Sequence, residues 1–131
     1  MVISVYRQLK KINQTYSNWS GKINFRKLLV VRGKVKPTAI SPEYDVRITY
    51  WQNKPPIIEI LSPKLKIREG KTSLPHVYHS DQLCLYYKDF NILTDFLADS
   101  IIVWVTWWLY YYEIWYQTGE WVAPGTHPNR W

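Results

Sequence analysis

The chain has 131 residues, of which 47% are hydrophobic and 21% charged, so it carries enough apolar material for a core and is not a disordered chain. At this length a single domain spanning 1–131 is expected. A net charge of +7 raises the question of a polyanion or an acidic partner, and the single cysteine excludes an internal disulfide. The charge is unevenly spread: residues 1–42 contain nine basic side chains and no acidic one, whereas residues 43–131 contain eight basic and ten acidic groups. Any partner drawn by charge is therefore expected at the N-terminal third.

Met1–Arg7 lacks the charged start and long apolar stretch of a signal peptide, so a cytoplasmic location is expected. Ile3, Tyr6, Leu9 and Ile12 recur at helical spacing with basic residues between them, which predicts an amphipathic helix ending around Ser17–Gly21. Leu28–Val31 is a short apolar run, and Gly33-Lys34 reads as a turn. Asp45–Trp51 alternates as a half-buried strand, and Gln52-Asn-Lys-Pro-Pro reads as the turn into a strand at Ile57–Leu61. Helix followed by an antiparallel meander is an α+β pattern.

Periodicity is lost over residues 62–83, which reads as a long loop carrying His76 and His79 and ending near Cys84. Loops of that length in a small domain are usually functional or disordered. The run Ile101–Tyr112 is too short to span a bilayer, which needs about 20 apolar residues. It predicts instead a packed aromatic helix over Val103–Gln117, stopped by Gly119. One stripe is Trp104, Trp108, Tyr111 and Trp115, the next is Val105, Leu109, Tyr112 and Tyr116, and Thr106, Tyr110, Glu113 and Gln117 form a narrow polar face. The C-terminal tail, which carries Trp121 and Trp131, is expected to cover part of this helix.

Cys84 is the chain's only thiol, and His76, His79 and Asp81 lie within eight residues of it. A nearby imidazole would favour the thiolate, the attacking species; the alternative is a buried, inert cysteine. No second cysteine and no ligand spacing supports a metal site, no glycine-rich phosphate loop is present, and no cofactor is expected.

Tyr50-Trp-Gln-Asn-Lys-Pro-Pro, the strand Ile57–Leu61, the long loop, Leu83-Cys84-Leu85 and the C-terminal helix, in this order, resemble the core of a ubiquitin-conjugating enzyme. Leu74-Pro-His-Val-Tyr78, Leu83-Cys-Leu-Tyr86 and the stretch from Trp108 through Glu113-Ile-Trp115 to Thr118-Gly119-Glu-Trp121 resemble a bacterial branch of that family. These are the stand-alone conjugating-enzyme-like proteins of antiphage operons that signal through cyclic oligonucleotides (CBASS). The resemblance implies that Cys84 is the catalytic cysteine, forming a thioester with a protein C-terminus. It also implies that the acyl donor is the C-terminus of a cGAS-like nucleotidyltransferase of the same operon.

The family places the asparagine of a His-Pro-Asn motif eight residues before its cysteine, and His76 occupies that position here. An imidazole N–H can donate to an oxyanion as an amide does; the alternative is that His76 buttresses the loop. His127-Pro-Asn129 lies on the wrong side of Cys84 to supply the motif. The first helix of such enzymes docks the protein that delivers the acyl group, so Arg7, Lys10 and Lys11 are expected to meet an acidic protein surface. Two other readings stay open: a binding scaffold of the same fold, and a nucleic-acid module. The second is weaker, because the aromatics concentrate at 104–121 and the basic groups at 1–36, whereas a stacking platform needs both together.

Overall fold

Ser4 opens the first helix, its hydroxyl accepting the Arg7 N–H at 3.2 Å, and α1 then runs Val5–Thr15. In the computed structural model, which describes residues 2–72, 74–75, 77–79, 82–83 and 90–122, α1 is followed by a meander. Its strands are β1 (Ser20–Asn24), β2 (Leu28–Val35), β3 (Tyr44–Trp51) and β4 (Ile57–Ser62). Two short strands, β5 (Val77–His79) and β6 (Gln82–Leu83), extend the sheet to the order β1-β2-β3-β4-β6-β5, antiparallel throughout. The last element among the described residues is α2 (Ile101–Thr118). This is the α+β architecture that the sequence pattern implies, and no helix among the described residues is long and apolar enough to cross a membrane.

The face of α1 differs from its sequence pattern. Tyr6, expected on the apolar stripe, is 55% exposed, whereas Gln8 is fully buried beside Val5 and Ile12. Burial of an amide is tolerated when both ends are satisfied. Gln8 Nε2 donates to the Asp95 carbonyl at 3.0 Å, and its Oε1 accepts from the Leu97 N–H at 2.8 Å. Two further bonds hold the same segment, from the Ile3 N–H to the Ile92 carbonyl and from the Tyr16 hydroxyl to the Ala98 carbonyl.

The meander has one more strand than its apolar runs announce. The first helix stops at Thr15, and Ser20 and Gly21, expected as its end, belong to β1. Gly33, expected in a turn, lies in the middle of β2 opposite Val46. A Cβ there would sit 2.1 Å from the buried Trp19 indole, so the glycine makes room for the ring rather than for a bend. Residues 62–83, expected as one loop, include β5 and β6. The alternating residues of β3 behave as expected, with Val46, Ile48 and Tyr50 in the core.

α2 extends two residues before and one beyond its expected span. Gly119 caps it in the left-handed conformation (φ 86°), its N–H bonded to the Trp115 carbonyl at 2.7 Å. Val105, Trp108, Leu109, Tyr112 and Trp115 are buried, while Tyr116 and Trp107 stand exposed. Trp121 packs on Trp108 and Tyr111, with ring centroids at 5.5 and 6.1 Å. The rest of the tail expected to cover this helix, residues 123–131, lies outside the described residues.

Candidate functional site

Cys84 and His76, the two catalytic candidates, lie outside the described residues. The structure does define the frame on either side of them. Leu74, two residues before His76, is buried. Leu83, the residue before Cys84, is buried at the end of β6, and Gln82 pairs with Glu59 of β4. Phe90, which resumes the described chain, is buried and meets Tyr50 edge-on at 5.8 Å. Upstream, the Tyr112 hydroxyl of α2 accepts the Lys66 N–H at 2.8 Å, which fixes the chain that leaves β4. Arg68 lies against Gly119 at the carboxyl end of α2, where the helix dipole favours a cation.

The basic side chains of α1 converge on a ring that the sequence did not single out. The Arg7 guanidinium and the Lys11 ammonium lie 5.7 and 5.8 Å from the centre of Phe96. With Lys10 and Gln14 they line a shallow cleft of about 260 Å³. Lys11 also reaches the Asp99 carboxylate at 3.9 Å. Phe96 stands 89 positions from Arg7 in the chain, so no spacing pattern links it to α1; the Gln8 bonds to residues 95 and 97 are what bring it there. The cleft offers positive charge above an apolar floor, which suits an acidic side chain next to an apolar one.

A second cleft, of about 320 Å³, lies between the β2–β3 loop, the residues after β4 and α2. The Glu113 carboxylate, on the narrow polar face expected of α2, is half-buried against it and accepts from the Ser41 and Tyr44 hydroxyls, each at 2.7 Å. Burial, reinforced by the bond to Glu113, pushes the Tyr44 phenol far above its usual range. Next to it the buried Asp45 carboxylate takes Arg32 Nε at 2.9 and 3.1 Å and Lys34 Nζ at 3.7 Å. The Arg32 bond holds the Asp45 carboxyl below its ordinary value against the opposing effect of burial.

A capped helix leading into an antiparallel meander, followed by a long aromatic helix, is the α+β arrangement that the resemblance to ubiquitin-conjugating enzymes leads one to expect. The family model described as "Type II CBASS E2 protein" matches residues 8–128, and the chain belongs to that family. No curated protein matches the chain.

Proposed function

We propose that this protein is a cysteine-dependent acyl carrier of bacterial antiphage signalling, using Cys84 to hold the C-terminal acyl group of a partner protein as a thioester. What supports the reading is family membership over residues 8–128, a span that includes both Cys84 and His76. The Cys84 thiolate attacks the carbonyl carbon of a C-terminus that a separate enzyme has activated. The C–S bond forms and the activating group leaves with its electron pair. A neutral amine, such as a target lysine, then attacks the thioester; the C–N bond forms, the thiolate departs, and the amine gives up its proton. The donor in this reading is the C-terminus of the operon's cGAS-like nucleotidyltransferase, and the reducing cytoplasm, where a lone thiol persists, is the compartment.

His76 takes the position of an oxyanion donor in this scheme. Loss of one such donor slows acyl transfer about 10²–10³-fold. His76→Ala should show that loss and His76→Asn should recover part of it, because an amide N–H can make the same bond. A buttressing His76 would give no recovery with Asn.

Arg7, Lys10 and Lys11, gathered around Phe96, form the docking surface for the acidic face of the delivering protein. The decisive experiment co-expresses the chain with its neighbouring nucleotidyltransferase and looks for a thiol-sensitive adduct. Cys84→Ala should abolish the adduct. An adduct that survives the substitution overturns the Cys84 mechanism, and a complex without any adduct assigns the chain to a binding role.

A further inference from the structure

The turn between β1 and β2 has a sequence that its backbone does not favour. The loop is Phe25–Lys27; Phe25 and Arg26 are the central residues of a turn closed by the Lys27 N–H on the Asn24 carbonyl (3.2 Å), and both have positive φ, 55° and 60°. Tight hairpins of this kind select Asn-Gly, and a bulky residue with positive φ is a steric outlier. Phe25 is also 80% exposed, so burial does not repay the conformational cost. Strain kept at a solvent-exposed ring is a reason to look for a ligand.

The surroundings say which one. Phe25 lies parallel on Trp51, the last residue of β3, with centroids 6.3 Å apart and planes 7° apart. A bond from the Gln52 N–H to the Lys27 carbonyl (2.9 Å) joins this turn to the β3–β4 turn. The two turns and the strand beside them present Lys22, Arg26, Lys27 and Lys54, all exposed and none ion-paired among the described residues. No acidic residue occurs in 20–35 or in 46–58. The sheet thus brings Phe25, Arg26 and Lys27 of one turn to the same tip as Trp51 and Lys54 of the other.

We propose that this tip binds single-stranded nucleic acid, one base stacking on the open face of Phe25 and the phosphates meeting the four cations. An acidic protein would satisfy the charge, but the exposed feature beside the cations is a pair of parallel rings, Phe25 80% and Trp51 40% exposed, which suits stacking. A base needs only a flat ring and a basic track. This inference does not depend on the chemistry of Cys84.

The test is fluorescence anisotropy of a labelled 20-nucleotide oligo-dT with the full chain, titrated in 50 mM salt and above. Binding should weaken with salt at a log–log slope of about −0.7 per phosphate contacted, and Lys22→Glu with Lys54→Glu should reduce that slope by about 1.4. The paired substitution Phe25→Asn, Arg26→Gly should weaken binding at least about tenfold, through the lost stack and one lost charge, while the melting temperature stays level or rises. That combination separates a ligand-facing ring from a structural one, since a structural Phe25 would lower the melting temperature when removed. Absence of oligonucleotide binding at 50 mM salt overturns the proposal, as does binding indifferent to all these substitutions. Capture of a glutamate-rich, tryptophan-containing peptide through the same residues, without the oligonucleotide, would assign the tip to a protein and overturn it equally.

Discussion

The two ends of the sheet handle charge in opposite ways. Where β2 hands over to β3, Arg32 and Lys34 share the buried Asp45, and Glu113 takes both the Ser41 and Tyr44 hydroxyls, so the β2–β3 loop is tied to α2 by satisfied polar groups. At the tip formed by Phe25–Lys27, Trp51–Lys54 and the neighbouring Lys22 of β1, four cations have no carboxylate in either flanking segment, and the turn between β1 and β2 adopts a backbone that its residues resist. Both ends belong to the same strands, so the contrast is not one of fold. The closed end is organised for stability; the open tip gives up local stability for exposed chemistry. Substitutions should therefore register as lost stability at the first end and as lost binding at the second.

The largest effect is expected between the two ends, where β2 must run unbroken to connect them. Gly33→Ala places a methyl about where the Trp19 ring lies, and a buried indole has little freedom to retreat. A loss of about 3 kcal/mol, read from urea denaturation, is expected from the overpacking. A variant of wild-type stability would mean that Trp19 has another rotamer available and that β2 is not pinned there. Next, Glu113→Leu should cost about 2 kcal/mol, because the Tyr44 hydroxyl loses its acceptor in a buried site. The matching change at the tip, Lys54→Leu, should stay within about 0.5 kcal/mol. Equal losses would erase the distinction between the ends.

Acid should act on the closed end first. The Asp45 carboxyl is held below its ordinary value of 3.8, so its pairing contributes stability that is complete above the unfolded value and disappears as pH falls through the lower folded one. Wild type should therefore lose stability below about pH 4 more steeply than Asp45→Asn does. Thermal melts between pH 2 and pH 6 check this, and parallel curves for the two proteins would show that Asp45 is not the group that couples folding to acid.

What the sequence made legible follows how local each cause is. The alternation of β3, the apolar run of α2 and its Gly119 stop depend on near neighbours, and all three appear where the pattern puts them. Strand β1, Ser-Gly-Lys-Ile-Asn, has a single large apolar residue and is held by its pairing with β2, so no periodic signal exists to find. Gly33 looks like a turn because glycine and lysine are turn formers, yet its role is fixed by Trp19, fourteen positions away. Gln8 and Phe96 depend on contacts across most of the chain, which no spacing rule reaches. On the candidate site, the basic residues of α1 were readable as charge, whereas the ring that gathers them was not. Cys84 and His76 fall outside the described residues, so the chemistry proposed for them rests on the sequence and on family membership over residues 8–128.

The smallest expected effect lies at the boundary between the two ends, in the pair Arg47–Glu59. Both guanidinium contacts go to one carboxylate oxygen, Nε at 3.0 Å and the terminal nitrogen at 2.9 Å, so this is not the two-oxygen fork that makes arginine pairs strong. Arg47 is also substantially exposed. Glu59→Gln should therefore cost about 0.5 kcal/mol or less, and the difference should vanish in high salt. Its effect on the tip has the opposite sign. The Arg47–Glu59 pair sits two residue pairs from Thr49–Ile57 on the same strands, and Glu59 is the acidic group nearest in sequence to the β3–β4 turn. Removing that carboxylate leaves Arg47 as an unpaired cation and extends the basic field along the sheet. Oligo-dT binding should then strengthen a few-fold at 50 mM salt, with the salt slope growing by about 0.7 if Arg47 gains a phosphate. Unchanged binding with unchanged stability would confine the open tip to the two turns, with Arg47–Glu59 as its outer border.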